Sequence, residues 1–319
     1  MKTVPDIPTL SDVRRAFQRI QRNGVHRTPV MTCETFNQVT GASLFFKCEN
    51  FQKVGAFKFR GASNAILSLS EEEAARGVVT MSSGNHAAAV ALAARLRGIP
   101  AYIAMPETAP SAKRHAVEGY GGKITLRGVN INEVDETAIE IQKQTGAVMI
   151  NPFDDPRVIA GQGTAALELL EDYPDLDAII GPVSGGGLMS GTCVAAAGLK
   201  PGILLFGAEP ANADDAFRSL REGRRLTDGP RNTIADGLRA SLSDRTFAIL
   251  SRHLAEIITV TEEQIIGATK EIWQRMKIVV EPSGAASFAA ILARPDLFAG
   301  KRAGVIVSGG NLDLDKLPW

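Results

Sequence analysis

Val78-Val79-Thr80-Met81-Ser82-Ser83-Gly84-Asn85-His86, the alanine-rich run on to Arg97, and Ala101-Tyr102-Ile103-Ala104 decide the fold class. The β-branched run at 78–81 reads as a strand, Asn85 to Arg97 as a helix, and 101–104 as a second strand. A strand returning to a strand through a helix makes a parallel pair, so the chain is of the α/β class. The alternation continues in both directions. A helix is expected from Ser111 to Glu118, a strand near Ile124, a helix from about Glu133 to Gln144, and a strand at Val148-Met149-Ile150. It resumes with a helix from Thr164 to Leu170, a strand from Ala178 to Val183, a helix after Gly187 and a strand from Ile203 to Gly207, so a second sheet is implied. At 319 residues the chain exceeds one hydrophobic core, and two domains are expected.

Composition narrows the function. Lysine plus arginine and aspartate plus glutamate number 35 each, without a polybasic run, which argues against a nucleic-acid partner. The most apolar stretch, Ala87 to Met105, is broken by Arg95, Arg97 and Pro100, so no membrane partner is expected. Met1 to Asp6 lacks the apolar core of a signal peptide, and Cys33, Cys48 and Cys193 cannot all pair or form a metal-type CxxC. A reducing cytoplasm is the expected location.

Several segments carry chemistry. In Gly55-Ala56-Phe57-Lys58-Phe59-Arg60-Gly61 the aromatic neighbours would desolvate the lysine, lower its pKa and free its amine to attack a carbonyl; the plain alternative is an exposed lysine with its stem on apolar surface. Ser184-Gly185-Gly186-Gly187-Leu188 follows an apolar strand and precedes a helix, the setting for backbone N–H groups to wrap a phosphate, though a tight turn needing positive φ also fits. Ser82-Ser83-Gly84-Asn85-His86 lies between a strand and a helix, where hydroxyls and amides collect a carboxylate or where Ser83 or Asn85 simply caps the helix. Gly161-Gln162-Gly163-Thr164-Ala165-Ala166 satisfies a dinucleotide-binding pattern, but the residues before it hold only a short apolar run instead of a strand, which argues against that use.

With Glu281-Pro282-Ser283-Gly284 and Ser308-Gly309-Gly310-Asn311, these segments resemble in order and spacing the fold-type II pyridoxal-phosphate enzymes, specifically the serine/threonine dehydratase and serine racemase group with its 3-hydroxyaspartate ammonia-lyases. The resemblance runs from about Thr28-Pro29 to Trp319. It implies two open, twisted, mostly parallel sheets flanked by helices, with a small domain of residues 71–149 inserted into a large one built from 1–70 and 150–319. It further implies pyridoxal phosphate carried on Lys58, with the phosphate in the loop Ser184, Gly185, Gly186, Gly187 and Leu188. By the same resemblance Asn85 meets the ring hydroxyl, Phe57 and Gly237 flank the ring, and Glu281 belongs to the cofactor set. Ser308 would face the pyridine nitrogen, where a neutral hydroxyl makes the ring a weaker electron sink and biases the reaction to elimination. The loop Ser82, Ser83, Gly84, Asn85 and His86 would take the substrate carboxylate, with His86 mainly structural because no second histidine stands at metal spacing.

The implied reaction is β-elimination from a small 3-hydroxy-L-amino acid (serine, threonine or 3-hydroxyaspartate) to a 2-oxo acid and ammonia, with Lys58 as general base. The alternative is amino-acid racemisation, for which Ser83 matches the second acid/base; a cofactor-carrying protein without turnover is a remoter one. Glu209-Pro210-Ala211-Asn212-Ala213-Asp214-Asp215 is an acidic turn that, by resemblance, places Mg²⁺ or Ca²⁺ on Glu209, the Ala213 carbonyl and Asp215. A homodimer is the expected assembly. Two positions depart from the family pattern: Ala56 where many relatives have serine, and Asn151 where they often have histidine. Both bear on substrate choice, and a substrate β-carboxylate would need a cationic partner that the sequence does not single out.

Overall fold

Ten strands form among residues 6–129 and 131–319, which the computed structural model describes. They are β1 (Val30–Met31), β2 (Ser43–Cys48), β3 (Val78–Met81), β4 (Ala101–Met105), β5 (Lys123–Leu126), β6 (Val148–Met149), β7 (Ala178–Pro182), β8 (Leu204–Pro210), β9 (Glu256–Val260) and β10 (Arg302–Val307). Six make one sheet in the order β1-β2-β10-β7-β8-β9, parallel except for β1 against β2. The other four make an all-parallel sheet, β5-β4-β3-β6, whose strands all fall between residues 78 and 149. The chain is thus an α/β protein with two mostly parallel, helix-flanked sheets.

Strand β10 sits inside the larger sheet because its residues serve two cores at once. Val305 and Val307 join Phe36, Phe46 and Phe288 on one face, while Ile306 joins Leu169 and Met189 on the other. Such a strand has no solvent face, and its near-continuous apolar run follows. The helix Asn85–Arg97 is likewise buried through its alanines, with its arginines confined to the last turn and Gly98 closing it in the left-handed conformation.

The helix expected from Thr164 starts earlier, at Pro156, and runs to Asp172. Asp155 caps it by accepting from the Arg157 N–H at 2.8 Å, and Pro156 occupies the first turn, where its missing N–H costs nothing. Gly161 and Gly163 therefore lie inside a helix, not in a phosphate turn. A Cβ on Gly161 would come within 2.7 Å of the Arg60 carbonyl and of Gly61 Cα, and one on Gly163 within 2.7 Å of the Gly191 carbonyl. These glycines let the helix press against its neighbours Lys58–Leu67 and Gly187–Leu199, and the dinucleotide pattern is a by-product of that packing.

A buried ion network ties the Lys58–Leu67 helix down. Arg60 bonds Glu49 at 2.7 and 2.9 Å and Glu168 at 2.8 Å through two nitrogens; Lys47 bonds Glu168 at 2.6 Å, and Thr28 donates to Glu49 at 2.6 Å. All four charged side chains are buried, and two positive charges meet two negative ones. Removing one member of such a set costs about 3–5 kcal/mol, because it strands the opposite charge in a low dielectric.

Candidate active site

The carboxyl ends of strands from both sheets open on one cavity of about 830 Å³. Crevices at that edge of parallel sheets are where α/β folds bind ligands. The segment after β2 turns back to bond the exit of β10: the Phe57 N–H donates to the Ser308 carbonyl at 3.0 Å, and Gly310 to Gly55 at 2.9 Å. That pins Lys58 at the first turn of its helix, on the cavity wall. Its ammonium donates to the Pro152 carbonyl at 3.0 Å and stands 5.1 Å from the centroid of the Phe57 ring. Burial lowers its pKa to about 8. Of the two flanking phenylalanines only Phe57 reaches the amine; Phe59 is fully buried in the core beneath, since neighbours on a helix do not share a face.

The loop from β7 into the helix Gly187–Leu199 combines both readings of its glycines. Ser184 has φ +52° and Gly186 φ +84°, so the turn does require left-handed backbone. Gly185 and Gly187 press on Phe153, which a Cβ would meet at 2.5 and 2.9 Å, and a Cβ on Gly186 would meet Leu242 and Thr246 at 2.8 Å. No side chain caps the helix, so its first N–H groups remain available to an anion.

Opposite, the β3 exit carries Ser82, Ser83, Gly84, Asn85 and His86 to the cavity. Gly84, not Ser83 or Asn85, is the cap residue of the helix Asn85–Arg97, and again no side chain satisfies the helix start. Asn85 instead donates to Glu281 at 3.0 and 3.3 Å and accepts from the Asn311 amide at 2.9 Å. Glu281 is pushed up to about 7 by burial and then by Asp236, against the pull of the Asn85 and Asn311 donors. His86 is buried, its Nε2 on the Ile150 carbonyl at 3.1 Å, and burial drives its pKa down to about 3, so the ring is neutral. Leu188, Gly237 and Ser308 complete the cavity wall. Every residue expected to hold cofactor or substrate therefore lines one space.

The expected metal residues lie beside this cavity, not in it. Glu209, at the end of β8, is fully buried and accepts from the N–H groups of Ala216 and Phe217 at 3.3 and 2.8 Å. Burial holds it well above the usual carboxylate range, and Asp215 and Asp214 add to the shift. Asp215 is also buried, with one carboxylate oxygen unpartnered. Among the described residues no three His, Cys, Asp or Glu side chains cluster to hold a metal ion. Two buried carboxylates, one with an unmatched oxygen, are nonetheless a donor set that a hard divalent cation fits.

The cavity also contains residues that the sequence did not single out: Lys113, Asp135, Pro152, Phe153, Asp154, Arg225, Arg231 and Arg239. Lys113 pairs with Asp236 and Arg225 with Asp244, at 2.6 and 2.7 Å. Arg231 bonds the Thr227 carbonyl and Ser241 hydroxyl, and Arg239 the Thr233 carbonyl. Their loop, between the helices Asp215–Glu222 and Asp244–His253, has no periodicity to betray which arginines turn inward.

A partly buried amine facing an uncapped glycine loop, at the joint carboxyl edge of two parallel sheets, defines an α/β lysine enzyme of the fold-type II class. The chain belongs to the pyridoxal-phosphate-dependent enzymes, matching the family described as "Pyridoxal-phosphate dependent enzyme" over residues 22–309. It is 50% identical over 313 residues to the beta-hydroxyaspartate dehydratase of Paracoccus denitrificans, covering 98% of this chain and 99% of that protein. It is 48% identical to the serine racemase of Dictyostelium discoideum over 97% of this chain and 96% of that one. The solved structure of maize serine racemase superposes with a TM-score of 0.94 at 47% identity, covering 97% of this chain and 95% of that one.

Proposed function

We propose that the chain is an ammonia-lyase that converts a small 3-hydroxy-L-amino acid (serine, threonine or 3-hydroxyaspartate) to a 2-oxo acid and ammonia. The observation that carries this reading is the Lys58 amine, lowered to about 8 on the wall of the cavity. Ser184 to Leu188 would hold the phosphate of pyridoxal phosphate, Asn85 its ring hydroxyl and Ser308 its ring nitrogen, with Phe57 and Gly237 at its faces and Glu281 behind Asn85. The bound cofactor supplies the electron sink that makes the substrate α-proton acidic.

The protein's own residues do the rest. The uncapped start of the helix Asn85–Arg97, with Ser82 to His86, binds the substrate carboxylate. Lys58, whose lowered pKa of about 8 leaves a substantial fraction as free amine near neutral pH, takes the proton from Cα as general base. The 3-hydroxyl leaves as water, and hydrolysis of the released enamine gives the 2-oxo acid and ammonia. For 3-hydroxyaspartate the second carboxylate pairs with Arg231 or Arg239, the two cavity arginines whose hydrogen bonds go to neutral oxygens. A second reading, racemisation, is favoured by Ser83, which enters the cavity from the smaller sheet whereas Lys58 enters from the larger.

The same reading includes Mg²⁺ or Ca²⁺ on Glu209, the Ala213 carbonyl and Asp215, supported by the unpartnered Asp215 oxygen. It includes a small domain of residues 71–149, supported by the span of the second sheet, and a cytoplasmic location, supported by three free cysteines; no helix of the described residues is long and apolar enough to cross a membrane. A homodimer is supported by Phe51 and Val279, apolar yet 45% and 47% exposed, on either side of the bond from Asn50 to the Val279 carbonyl. The test is a panel of 3-hydroxy amino acids scored for oxo acid and for the opposite enantiomer, in wild type and Lys58→Ala. Turnover that survives in Lys58→Ala overturns the reading.

A further inference from the structure

We propose that Arg245 is a positioning residue for Lys58: from the helix Asp244–His253 it grips Asp154 and so fixes the turn whose Pro152 carbonyl holds the lysine amine. Three contacts carry the inference.

The first is the turn itself. Asn151 Oδ1 accepts from the N–H groups of Phe153 and Asp154 at 3.1 and 2.8 Å, an Asx turn that aims the Pro152 carbonyl at Lys58. Here the departure at position 151 has a physical role, since an asparagine closes this turn through its side-chain oxygen. The second is the grip. Arg245 Nη1 bonds both the Asp154 carbonyl, at 3.0 Å, and the Asp154 carboxylate, while its Nε donates to the Asp6 carbonyl at 2.8 Å. The Arg245 side chain is 17% exposed and that of Asp154 37%, so the arginine end of the pair is shielded while the carboxylate reaches solvent. The third is the glycine loop. Phe153, inside the same turn, packs on Gly185 and Gly187, and Thr246, next to Arg245, packs on Gly186. One helix start therefore braces both the acceptor of the catalytic amine and the loop proposed to hold the phosphate. Arg245 does not line the cavity and acts only through Asp154.

The inference rests on Lys58 being the base. It is tested on the full-length holoenzyme with Arg245→Met, Arg245→Lys, Asp154→Asn and the Arg245→Met/Asp154→Asn double variant. Misplacing the acceptor turn should lower kcat about tenfold in Arg245→Met with KM within about twofold, and Arg245→Lys should recover part of the loss. The cofactor dissociation constant, read by fluorescence titration, should rise several-fold in Arg245→Met because Phe153 no longer steadies the glycine loop. The double variant should be no worse than the poorer single variant, since both substitutions break one contact. Wild-type kcat and cofactor affinity in folded Arg245→Met, or losses that multiply in the double variant, would overturn the proposal. If Arg245→Met does not fold, Asp154→Asn alone decides by the same measurements. Borohydride labelling of the wild type separates the two readings: label on another lysine overturns both, whereas label on Lys58 with an unperturbed Arg245→Met overturns this one alone.

Discussion

Raising the pH should switch on Lys58 well before an ordinary lysine. Its pKa falls from 10.5 to about 8 because burial penalises the charged amine. At pH 7 about one Lys58 in ten is then free amine, against about one in 3,000 for an unshifted lysine, an advantage of roughly 300-fold. The assay is capture of pyridoxal phosphate by the cofactor-free chain, quenched with borohydride and counted on the Lys58 peptide. Nα-acetyl-lysine run in parallel cancels the titration of the aldehyde itself. The ratio of the two rates should stay flat below about pH 8 and fall about tenfold per unit above it, until the model amine also titrates near 10.5. A ratio that is flat across the whole range would mean an ordinary lysine and refute the desolvation argument. The stability linkage has the matching sign: with the folded pKa below the unfolded one, burial of Lys58 costs stability below pH 8, and the cost fades as pH rises from about 8 to 10.5.

Other tests address the remaining features. Ser83→Ala should suppress interconversion of L- and D-serine far more than oxo-acid formation; equal losses would reduce Ser83 to a binding role. Chelation should lower the melting temperature, with Mg²⁺ or Ca²⁺ restoring it in wild type but not in Asp215→Ala, and an indifferent wild type would remove the cation from the scheme. Glu281, raised to about 7, should lose stability relative to Glu281→Gln as pH climbs from about 4.5 to 7, by up to about 3 kcal/mol, as read from denaturant midpoints at each pH. Gly161→Ala should cost about 1–3 kcal/mol, because its Cβ meets backbone that cannot move aside; a neutral result would deny the close helix contact.

What the sequence revealed followed from local chemistry. The strand at 78–81 and the helix Asn85–Arg97 carry their own periodicity and breaks, and the structure gives both with the expected bounds. Lys58, the glycine loop and Ser308 each read two ways taken alone and were singled out together by the family resemblance, and the structure brings all of them to one cavity wall. The start of the helix Pro156–Asp172 was not, because its interior glycines make sense only against Arg60, Gly61 and Gly191, which lie far away in sequence. The cavity arginines were hidden for a similar reason: Arg231 and Arg239 sit in an aperiodic loop whose path is set by bonds such as Ala240 N–H to Ser184 Oγ, at 3.3 Å. Asp135 reaches the cavity from a helix of the smaller sheet, and its direction depends on how the two sheets face each other.

The buried quartet of Lys47, Glu49, Arg60 and Glu168 has a consequence for how this enzyme can diversify. Any single replacement that alters a charge strands its partner in the interior, so apart from like-charge exchanges a path through the quartet must change two residues at once. The cavity arginines and Asp135 lie on other elements and line the cavity, whose wall includes none of the four. Substrate preference can therefore drift one residue at a time on one side of Lys58 while an unchanging anvil holds the lysine helix on the other. A library confined to positions 135, 231 and 239 should yield mostly folded enzymes, and one of the same size placed on the quartet should yield few.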